Sequence, residues 1–335
     1  PLRTAAWART IKRPNVMILC CGDALIDMIP ANTSLASAKL KSPSFAPHPG
    51  GAVFNTAISL GRLGVPAHLL TGMSNDLFGA QLTRSLTHSN VSTAYTIVSS
   101  RPTTLAFVEL NQGQANYTFY DENSASRMIS PSDLPVLPDD ISTLYFGGIS
   151  LINEPAADTY LALAQREAPR SVIMLDPNIR SNFITNQPAY RARLAALCDV
   201  ADIIKVSDED LDWLTPGPEP VMAKLRALRA DRSAVMILTR GKDGATALLR
   251  DGTEVSVKAP QAVVIDTVGA GDTFNAGVLA RLHHLTLLTK PKIATLAATP
   301  MTEALTFGAK VAAVTVARAG ANPPWRAELE ASKCG

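Results

Sequence analysis

The sequence predicts an α/β fold in which a central, mostly parallel sheet is flanked by helices. Two observations support this prediction: short apolar runs recur along the chain, and helical stretches separate them. Uninterrupted apolar strands are typical of parallel sheets covered on both faces, and helices supply the crossovers between such strands. The 335 residues are sufficient to bury a core of this size.

Five strands are predicted from the apolar runs. The first run, Met17–Cys21, ends at a Gly-Asp pair, which is typical of a buried strand. The other four runs are 144–146, 172–175, 203–206 and 235–238. Helices are predicted between them at 156–166, 190–197 and 221–229.

Polar residues follow the ends of several of these strands. Asp23 and Asp27 follow the first strand, and the segments 176–178, 207–208 and 239–241 follow later ones. In open α/β sheets, ligands bind beyond the carboxyl ends of the strands. Each polar group alone could be a turn or a helix cap, but their repetition predicts one shared crevice.

A different sequence pattern, typical of antiparallel β-structure, extends from about residue 93 to residue 120. The segments 104–109 and 115–120 are β-rich, and they flank the hairpin-like turn N-Q-G-Q at 111–114. A small antiparallel piece inserted in an α/β domain often acts as a lid or a dimer surface. We therefore predict a small β-rich unit beside the main sheet.

Composition narrows the class of protein. With 47% hydrophobic residues, 18% charged residues and a net charge of +2, nothing favours nucleic acid or an anionic membrane as a partner. No apolar run approaches the length of a membrane span. The four cysteines lack metal-type spacing, so a reducing, cytoplasmic environment is expected. Residues 1–16 are basic and have no hydrophobic signal segment, so we interpret them as an extension before one domain at 17–335.

The segment 266–277 carries the most informative motif, D-T-V-G-A-G-D-T-F-N-A-G. Small residues let a backbone approach a ligand, and the unpaired N–H groups at a helix start suit an anion. Asp272 follows directly, where a carboxylate could accept a hydroxyl proton or simply cap the helix. A dinucleotide oxidoreductase is disfavoured because the third glycine of its fingerprint is missing. A P-loop is also missing, because Asp243 follows Gly241-Lys242 where Ser or Thr is required.

Residues 266–274 match, without a mismatch, the D-T-x-G-A-G-D-x-F signature of the ribokinase-like (PfkB) family of carbohydrate kinases. The earlier segment 50–57, G-G-A-V-F-N-T-A, is similar to the family's G-G-x-x-x-N-x-A. The two segments have the expected order and separation, and the resemblance runs from about residue 17 to 321. It implies a ribokinase-like fold in which a β-rich lid, at about 23–50 and 93–122, covers the sugar.

The resemblance also implies roles for individual residues. The family aspartate that accepts the proton of the sugar hydroxyl matches Asp272. The backbone N–H groups of Gly269, Ala270 and Gly271 would form the anion hole for the phosphoryl group. The positions implied to bind the sugar are Asp27, Gly50, Gly51, Asn55, Asn178 and Arg180.

The cofactors that the family implies are ATP as co-substrate, Mg²⁺ and, in several members, a monovalent cation such as K⁺. The matching positions are Thr239 and Gly241 for the nucleotide, Ser207 and Asp210 for the phosphate and Mg²⁺ network, and Asp266 and Val268 for the monovalent cation. The family usually carries N-x-x-E where this chain reads S-D-E-D at 207–210, which weakens the comparison there. A homodimer formed through the lid is a further implication.

The segments 22–27, 119–125 and 176–180 resemble fructokinase-like members of the family. They predict ATP-dependent phosphorylation of a primary hydroxyl, converting fructose to fructose 6-phosphate. Kinases of 2-keto-3-deoxygluconate share the D-x-N-x-R segment, and arginines such as Arg127 and Arg180 could serve an acidic sugar. Other sugars or nucleosides stay open, and so does a non-catalytic sugar-binding regulator on the same fold.

Overall fold

The computed structural model of the protein describes residues 16–30, 44–111 and 114–331. The strands in these ranges are β1 (Met17–Gly22), β2 (Leu25–Pro30), β3 (Phe45–Gly50), β4 (Ala67–Leu70), β5 (Gly72–Ser74), β6 (Val91–Ser92), β7 (Ile97–Ser99), β8 (Thr104–Asn111), β9 (Gln114–Tyr120), β10 (Ile141–Gly147), β11 (Val172–Asp176), β12 (Ile203–Ser207), β13 (Val235–Thr239), β14 (Ala245–Leu248) and β15 (Glu254–Val257). The α-helices are α1 (Ala52–Arg62), α2 (Leu77–His88), α3 (Ala156–Glu167), α4 (Gln187–Val200), α5 (Asp208–Leu214), α6 (Val221–Arg229), α7 (Ala270–His284), α8 (Lys290–Ala294), α9 (Ala298–Val316) and α10 (Arg326–Ala331).

The larger sheet has nine strands in the order β15-β14-β13-β12-β11-β10-β1-β4-β6. Neighbouring strands from β13 to β6 pair in parallel, and the pairs β13/β14 and β14/β15 are antiparallel. The predicted, mostly parallel sheet is confirmed. Each of the five predicted strands lies within β1, β10, β11, β12 or β13, and the three predicted helices correspond to α3, α4 and α6.

Both faces of the larger sheet are buried, which explains its apolar strands. Alternate side chains of β1 enter different cores, with Ile18 and Cys20 on one face and Leu19 and Cys21 on the other. Helices α1, α7 and α9 pack against the first face, and α3, α4 and α6 against the second. Of the helices in the described residues, none is both long and apolar enough to cross a bilayer.

A smaller sheet has the order β3-β2-β8-β9. Its outer pairs, β2/β3 and β8/β9, are antiparallel, as predicted for the hairpin, but β2 and β8 are parallel. Pairing between such distant segments leaves no local pattern in the sequence. Residues 112–113 of the predicted turn, 31–43 of the predicted lid, 1–15 of the predicted extension and Cys334 lie outside the described residues.

Helices α7 and α9 approach closely at two glycines. A Cβ on Gly277 would stand 2.7 Å from Gly308 Cα, and a Cβ on Gly308 would stand 2.8 Å from the carbonyl oxygen of Phe274. Protein interiors are packed too densely to absorb a methyl group at such distances. The position of α7, the helix that carries Asp272, therefore depends on these glycines.

Gly277→Ala is expected to lower the free energy of unfolding by about 1–3 kcal/mol, the usual cost of overpacking. Alanine favours a helix over glycine by about 1 kcal/mol, so a net loss would show that packing dominates. Denaturant titration measures the change. Thr302→Ala, on the exposed face of α9, is the control, with an expected change within about 0.5 kcal/mol. A variant as stable as the wild type would contradict the close contact.

Candidate active site

Two cavities lie at the carboxyl ends of the parallel strands and share a wall. The first, of about 580 Å³, is lined mainly by polar groups, including the carboxylates of Asp23 and Asp27. The second, of about 770 Å³, has a mainly apolar lining. Thr267, Ala270 and Gly271 border both cavities. A molecule in one cavity would therefore meet a molecule in the other at this wall.

Helix α7 begins at the shared wall. Its N-cap is Gly269, whose φ of +77° lies in the left-handed region that favours glycine. A Cβ there would also stand 2.7 Å from Ala321 Cβ. Ala270 N–H donates to the Thr267 carbonyl at 3.2 Å, whereas Gly271 N–H has no backbone partner among the described residues. An unpaired donor and the positive end of the helix thus lie where the cavities meet.

Asp272 is the third residue of α7 and borders the polar cavity. Because the N-cap is Gly269, capping does not account for Asp272. Its Oδ2 accepts a hydrogen bond from Asn55 Nδ2 at 2.9 Å, and its backbone oxygen accepts one from Thr56 Oγ1 at 3.2 Å. Asp272 is 6% exposed. A buried carboxylate is thus held in place beside the wall.

The electrostatic surroundings favour the protonated form of Asp272. Burial raises its pKa to about 7, the hydrogen bond from Asn55 opposes this rise, and the charges of Asp176 and Asp23 add to it. A carboxyl group whose pKa lies near neutrality is well suited to accept a proton during a reaction.

Asp23 and Asp27 border the same cavity, and burial raises the pKa of Asp23 to about 6 and that of Asp27 to about 7. Glycines make room for them. A Cβ on Gly50 would stand 2.0 Å from Asp27 Oδ2, and one on Gly51 would stand 2.7 Å from Asp23 Oδ2. Asp23 Oδ2 accepts the Ala52 N–H at 2.8 Å, but its buried Oδ1 has no partner among the described residues. Asp23 was not among the predicted sugar-binding residues, although its place after the first strand was an available signal.

The loop after β11 carries Asn178 and Arg180, and both border the polar cavity. Two carboxylates shape this loop. Asp176 Oδ1 accepts the Asn178 N–H at 3.2 Å, and Asp210 Oδ1 accepts the Ile179 N–H at 2.8 Å. The predicted D-x-N-x-R segment therefore presents Asn178 and Arg180 to the cavity that Asp272 borders, whereas Asp176 is fully buried.

Ser207 and Asp210 form a capping box at the start of α5. Ser207 Oγ accepts the Asp210 N–H at 3.0 Å, and Asp210 Oδ2 accepts the Ser207 N–H at 3.2 Å. Neither residue borders the two cavities, whereas Glu209 borders the polar one. The roles of Ser207 and Asp210 toward phosphates and Mg²⁺ stay predictions.

Thr239 and Gly241 border the apolar cavity, and their role toward the nucleotide stays a prediction. Much of the apolar lining comes from a segment outside any helix or strand, in which Val263 is 81% exposed and Val264 is 60% exposed. Neighbouring exposed apolar side chains of this kind are typical of surfaces that bind a ligand or another protein.

Asp266 joins the loop before α7 to the loop after α9. Its Oδ1 accepts the Val268 N–H at 3.0 Å, and its Oδ2 accepts the Gly320 N–H at 2.8 Å. Val268 borders the polar cavity. The role of this pair as ligands of a monovalent cation stays a prediction.

A buried ion pair lies close to the shared wall, and the sequence patterns did not predict it. Lys205 Nζ donates to Asp176 Oδ2 at 3.0 Å, and the two residues are 3% and 0% exposed. Asn275 Nδ2 donates to the same oxygen at 2.6 Å. The available signal was a lysine inside the otherwise apolar run I-I-K-V.

Known proteins of similar sequence are carbohydrate kinases. The sequence model of the pfkB family of carbohydrate kinases matches residues 15–328. A fructokinase from Rhizobium leguminosarum bv. trifolii is 48% identical over 281 residues, covering 84% of this chain and 84% of that protein. The chain therefore belongs to the pfkB family of carbohydrate kinases, enzymes that transfer phosphate to sugars.

Solved structures share the fold. A fructokinase from Xylella fastidiosa with bound ATP has a TM-score of 0.84 at 24% identity, covering 95% of this chain and 99% of that one. A fructokinase from Vibrio cholerae with bound fructose, ADP and calcium ion has a TM-score of 0.80 at 23% identity, covering 95% and 99%. The predicted ribokinase-like fold is thereby confirmed.

Asp272→Asn is expected to stabilise the ligand-free protein at pH 8 by up to about 4 kcal/mol, because the pKa is raised by about three units and each unit corresponds to about 1.4 kcal/mol. The folded-state pKa of about 7 lies above the ordinary 3.8. The folded protein therefore binds more protons between these values and loses stability as the pH rises through that window. Denaturant titration at pH 5 and pH 8 measures the difference.

Asp133→Asn is the matched control. The Ser130 hydroxyl lowers the pKa of Asp133 by donating a hydrogen bond to it. Its replacement should therefore decrease stability at pH 8, the opposite sign. A destabilised Asp272→Asn protein at pH 8 would contradict the inferred cost of ionising Asp272.

Proposed function

We propose that this protein is an ATP-dependent fructokinase that transfers the γ-phosphate to the primary hydroxyl of fructose, forming fructose 6-phosphate. The observation that carries this proposal is the wall of Thr267, Ala270 and Gly271 between a polar and an apolar cavity, with Asp272 on the polar side. A sugar in one cavity and a nucleotide in the other would bring hydroxyl and phosphate together. The 48% identity to a fructokinase supports fructose as the sugar.

Asp272 is the proposed general base. Its carboxylate would take the hydroxyl proton while the sugar oxygen bonds to the γ-phosphorus and the bond from that phosphorus to ADP breaks. Asn55 Nδ2, 2.9 Å from Asp272 Oδ2, would hold the carboxylate toward the sugar. A positioned base typically contributes about 10²- to 10⁴-fold to the rate.

The amides of Gly269, Ala270 and Gly271 are the proposed anion hole. Charge that develops on the phosphoryl oxygens would meet these donors and the positive end of α7. Gly271 N–H has no backbone partner among the described residues, and Ala270 N–H would exchange the Thr267 carbonyl for a phosphoryl oxygen. The site would thus bind phosphate with main-chain groups that cannot ionise.

The residues fit a Mg²⁺ ion held mainly by nucleotide phosphates and water. The described residues contain no cluster of three or more His, Cys, Asp or Glu side chains suited to a metal, and phosphate-bound Mg²⁺ needs one or two carboxylates. Glu209, which borders the polar cavity, would hold the water around it, and Asp210 would act from behind by fixing the Ile179 and Ser207 backbone. The bound ion would neutralise phosphate charge. Asp266 and Val268 are the proposed site for K⁺.

The charges around the polar cavity favour a neutral sugar. Three aspartates and Glu209 border it, against Arg180 as the one cation among the described lining residues. Arg127 is engaged in an ion pair with Asp121 at 3.0 Å. An acidic sugar such as 2-keto-3-deoxygluconate would meet net repulsion there, so it is the second candidate substrate.

We further propose that the four-stranded sheet acts as a lid, because Tyr117 and Phe119 of β9 border the polar cavity. Closure of such a lid would exclude water, which competes with the sugar as phosphate acceptor. A homodimer through this sheet and a cytoplasmic location belong to the same proposal. A non-catalytic regulator is disfavoured, because Asp272 and the glycines beside it are retained.

A substrate survey tests the proposed reaction. Release of ADP from MgATP is measured with fructose, ribose and 2-keto-3-deoxygluconate, and fructose is expected to give the highest kcat/KM by at least about ten-fold. Asp272→Asn should lower kcat by about 10²- to 10⁴-fold. Calorimetric binding of ATP to this variant controls for its folding. Preference for the acid would overturn the assignment of fructose, and sugar binding without turnover would support a regulator.

The acid limb of kcat/KM is expected near pH 7, because Asp272 must be ionised and burial raises its pKa to about 7. Below that pH the value should fall about ten-fold per unit. Asn55→Ala removes a hydrogen bond that lowers this pKa, so the limb should move to higher pH while the charges of Asp23, Asp176 and Arg180 are unchanged. A limb near pH 4 would contradict the buried base.

A further inference from the structure

The ammonium group of Lys205 lies against the backbone of the shared wall. A Cβ built on Gly271 would stand 3.4 Å from Lys205 Nζ, which is ordinary contact distance. Lys205 is 3% exposed, and its neighbours Ile204 and Val206 in β12 are fully buried apolar residues. Removing an ammonium from water is costly, so its presence in such a strand requires compensation.

Asp176 supplies the compensation. Its Oδ2 accepts from Lys205 Nζ at 3.0 Å and from Asn275 Nδ2 at 2.6 Å, and Asn275 Nδ2 also lies 3.1 Å from the Tyr145 hydroxyl oxygen. Burial acts to lower the pKa of Lys205, but the charges of Asp176 and Asp210 outweigh it and raise the pKa. The surroundings therefore favour the charged form of Lys205.

The ammonium retains hydrogen-bonding capacity. An ammonium has three N–H donors, and among the described residues Asp176 is the one acceptor within hydrogen-bonding distance of Lys205 Nζ. The position of this ion pair is therefore the informative feature. It stands directly behind Gly271, whose N–H has no backbone partner in the described part of the chain.

We propose that Lys205 is a positioning residue for phosphoryl transfer, a fixed positive charge that Asp176 holds behind Gly271 and that favours a terminal phosphate at this wall. This inference rests on the proposed kinase function. In a site that excludes water, a fixed charge interacts strongly with nearby phosphate oxygens. ATP carries a γ-phosphate that ADP lacks, so Lys205 should favour ATP over ADP. An ion pair with a purely structural role would not distinguish the two nucleotides.

The experiment compares the binding of ADP and of the non-hydrolysable analogue AMP-PCP by calorimetry. The double variant Lys205→Met/Asp176→Asn removes both charges, so no buried carboxylate is left unpaired. We expect the preference for AMP-PCP over ADP to fall about ten-fold and kcat to fall about 10- to 100-fold, less than the loss of a direct oxyanion donor. Lys205→Gln, which retains a donor for Asp176 without the charge, should lose the same preference.

Lys290→Met is the matched control. Lys290 Nζ donates to the buried Asp202 at 2.7 Å, and Arg250 still pairs with Asp202 when Lys290 is lost. Asp202 directly precedes β12, at the end of the strand away from the shared wall. This variant should keep the wild-type preference between the nucleotides.

An unchanged preference in the double variant and in Lys205→Gln would overturn the role of Lys205 and leave a structural ion pair. Nucleotide binding requires no sugar, so this result is independent of which sugar is phosphorylated. A wild-type protein that binds both nucleotides but shows no sugar-dependent turnover would instead overturn the proposed function alone.

Discussion

The hydrogen bond from Asn55 to Asp272 is the contact on which the site depends, because it joins the two helices that follow the glycine-rich segments. Helix α1 begins after Gly51 and α7 after Gly269, so the starts of both helices approach the polar cavity. Both helices pack on the same face of the larger sheet. In the proposed reaction, the distance between these helix starts sets where a sugar hydroxyl and a phosphate would meet.

Burial of carboxyl groups is the second constraint on the site. The pKa values of Asp23, Asp27 and Asp272 are all raised, chiefly by desolvation. Asp23 Oδ1 has no hydrogen-bond partner among the described residues. In the proposed reaction, a sugar hydroxyl that donates to Asp23 Oδ1 would supply the missing partner, so part of the binding free energy would come from satisfying this buried oxygen. The fold thus holds polar groups in a state that favours binding.

Sequence patterns were sufficient where the signal is local. The apolar run at Met17–Cys21 and the small residues before Asp272 reflect constraints set by adjacent residues. Sequence patterns did not predict features that depend on residues far apart in the chain. Lys205 is paired with Asp176 on the neighbouring strand, and β2 pairs with β8 although many residues separate them in the chain. The exposed apolar residues 263–264 were not predicted to line a cavity, because they belong to no helix or strand and so follow no periodic pattern.

The two cavities are lined by different parts of the chain, and this affects how a substitution in either part acts. Apart from their common wall, the polar cavity is lined mainly by residues before 210, and the apolar cavity by residues after 238. A substitution confined to the lining of the polar cavity can therefore change what that cavity binds while the lining of the apolar cavity is unchanged. The common wall is the exception, because a substitution at Thr267, Ala270 or Gly271 changes the lining of both cavities at once.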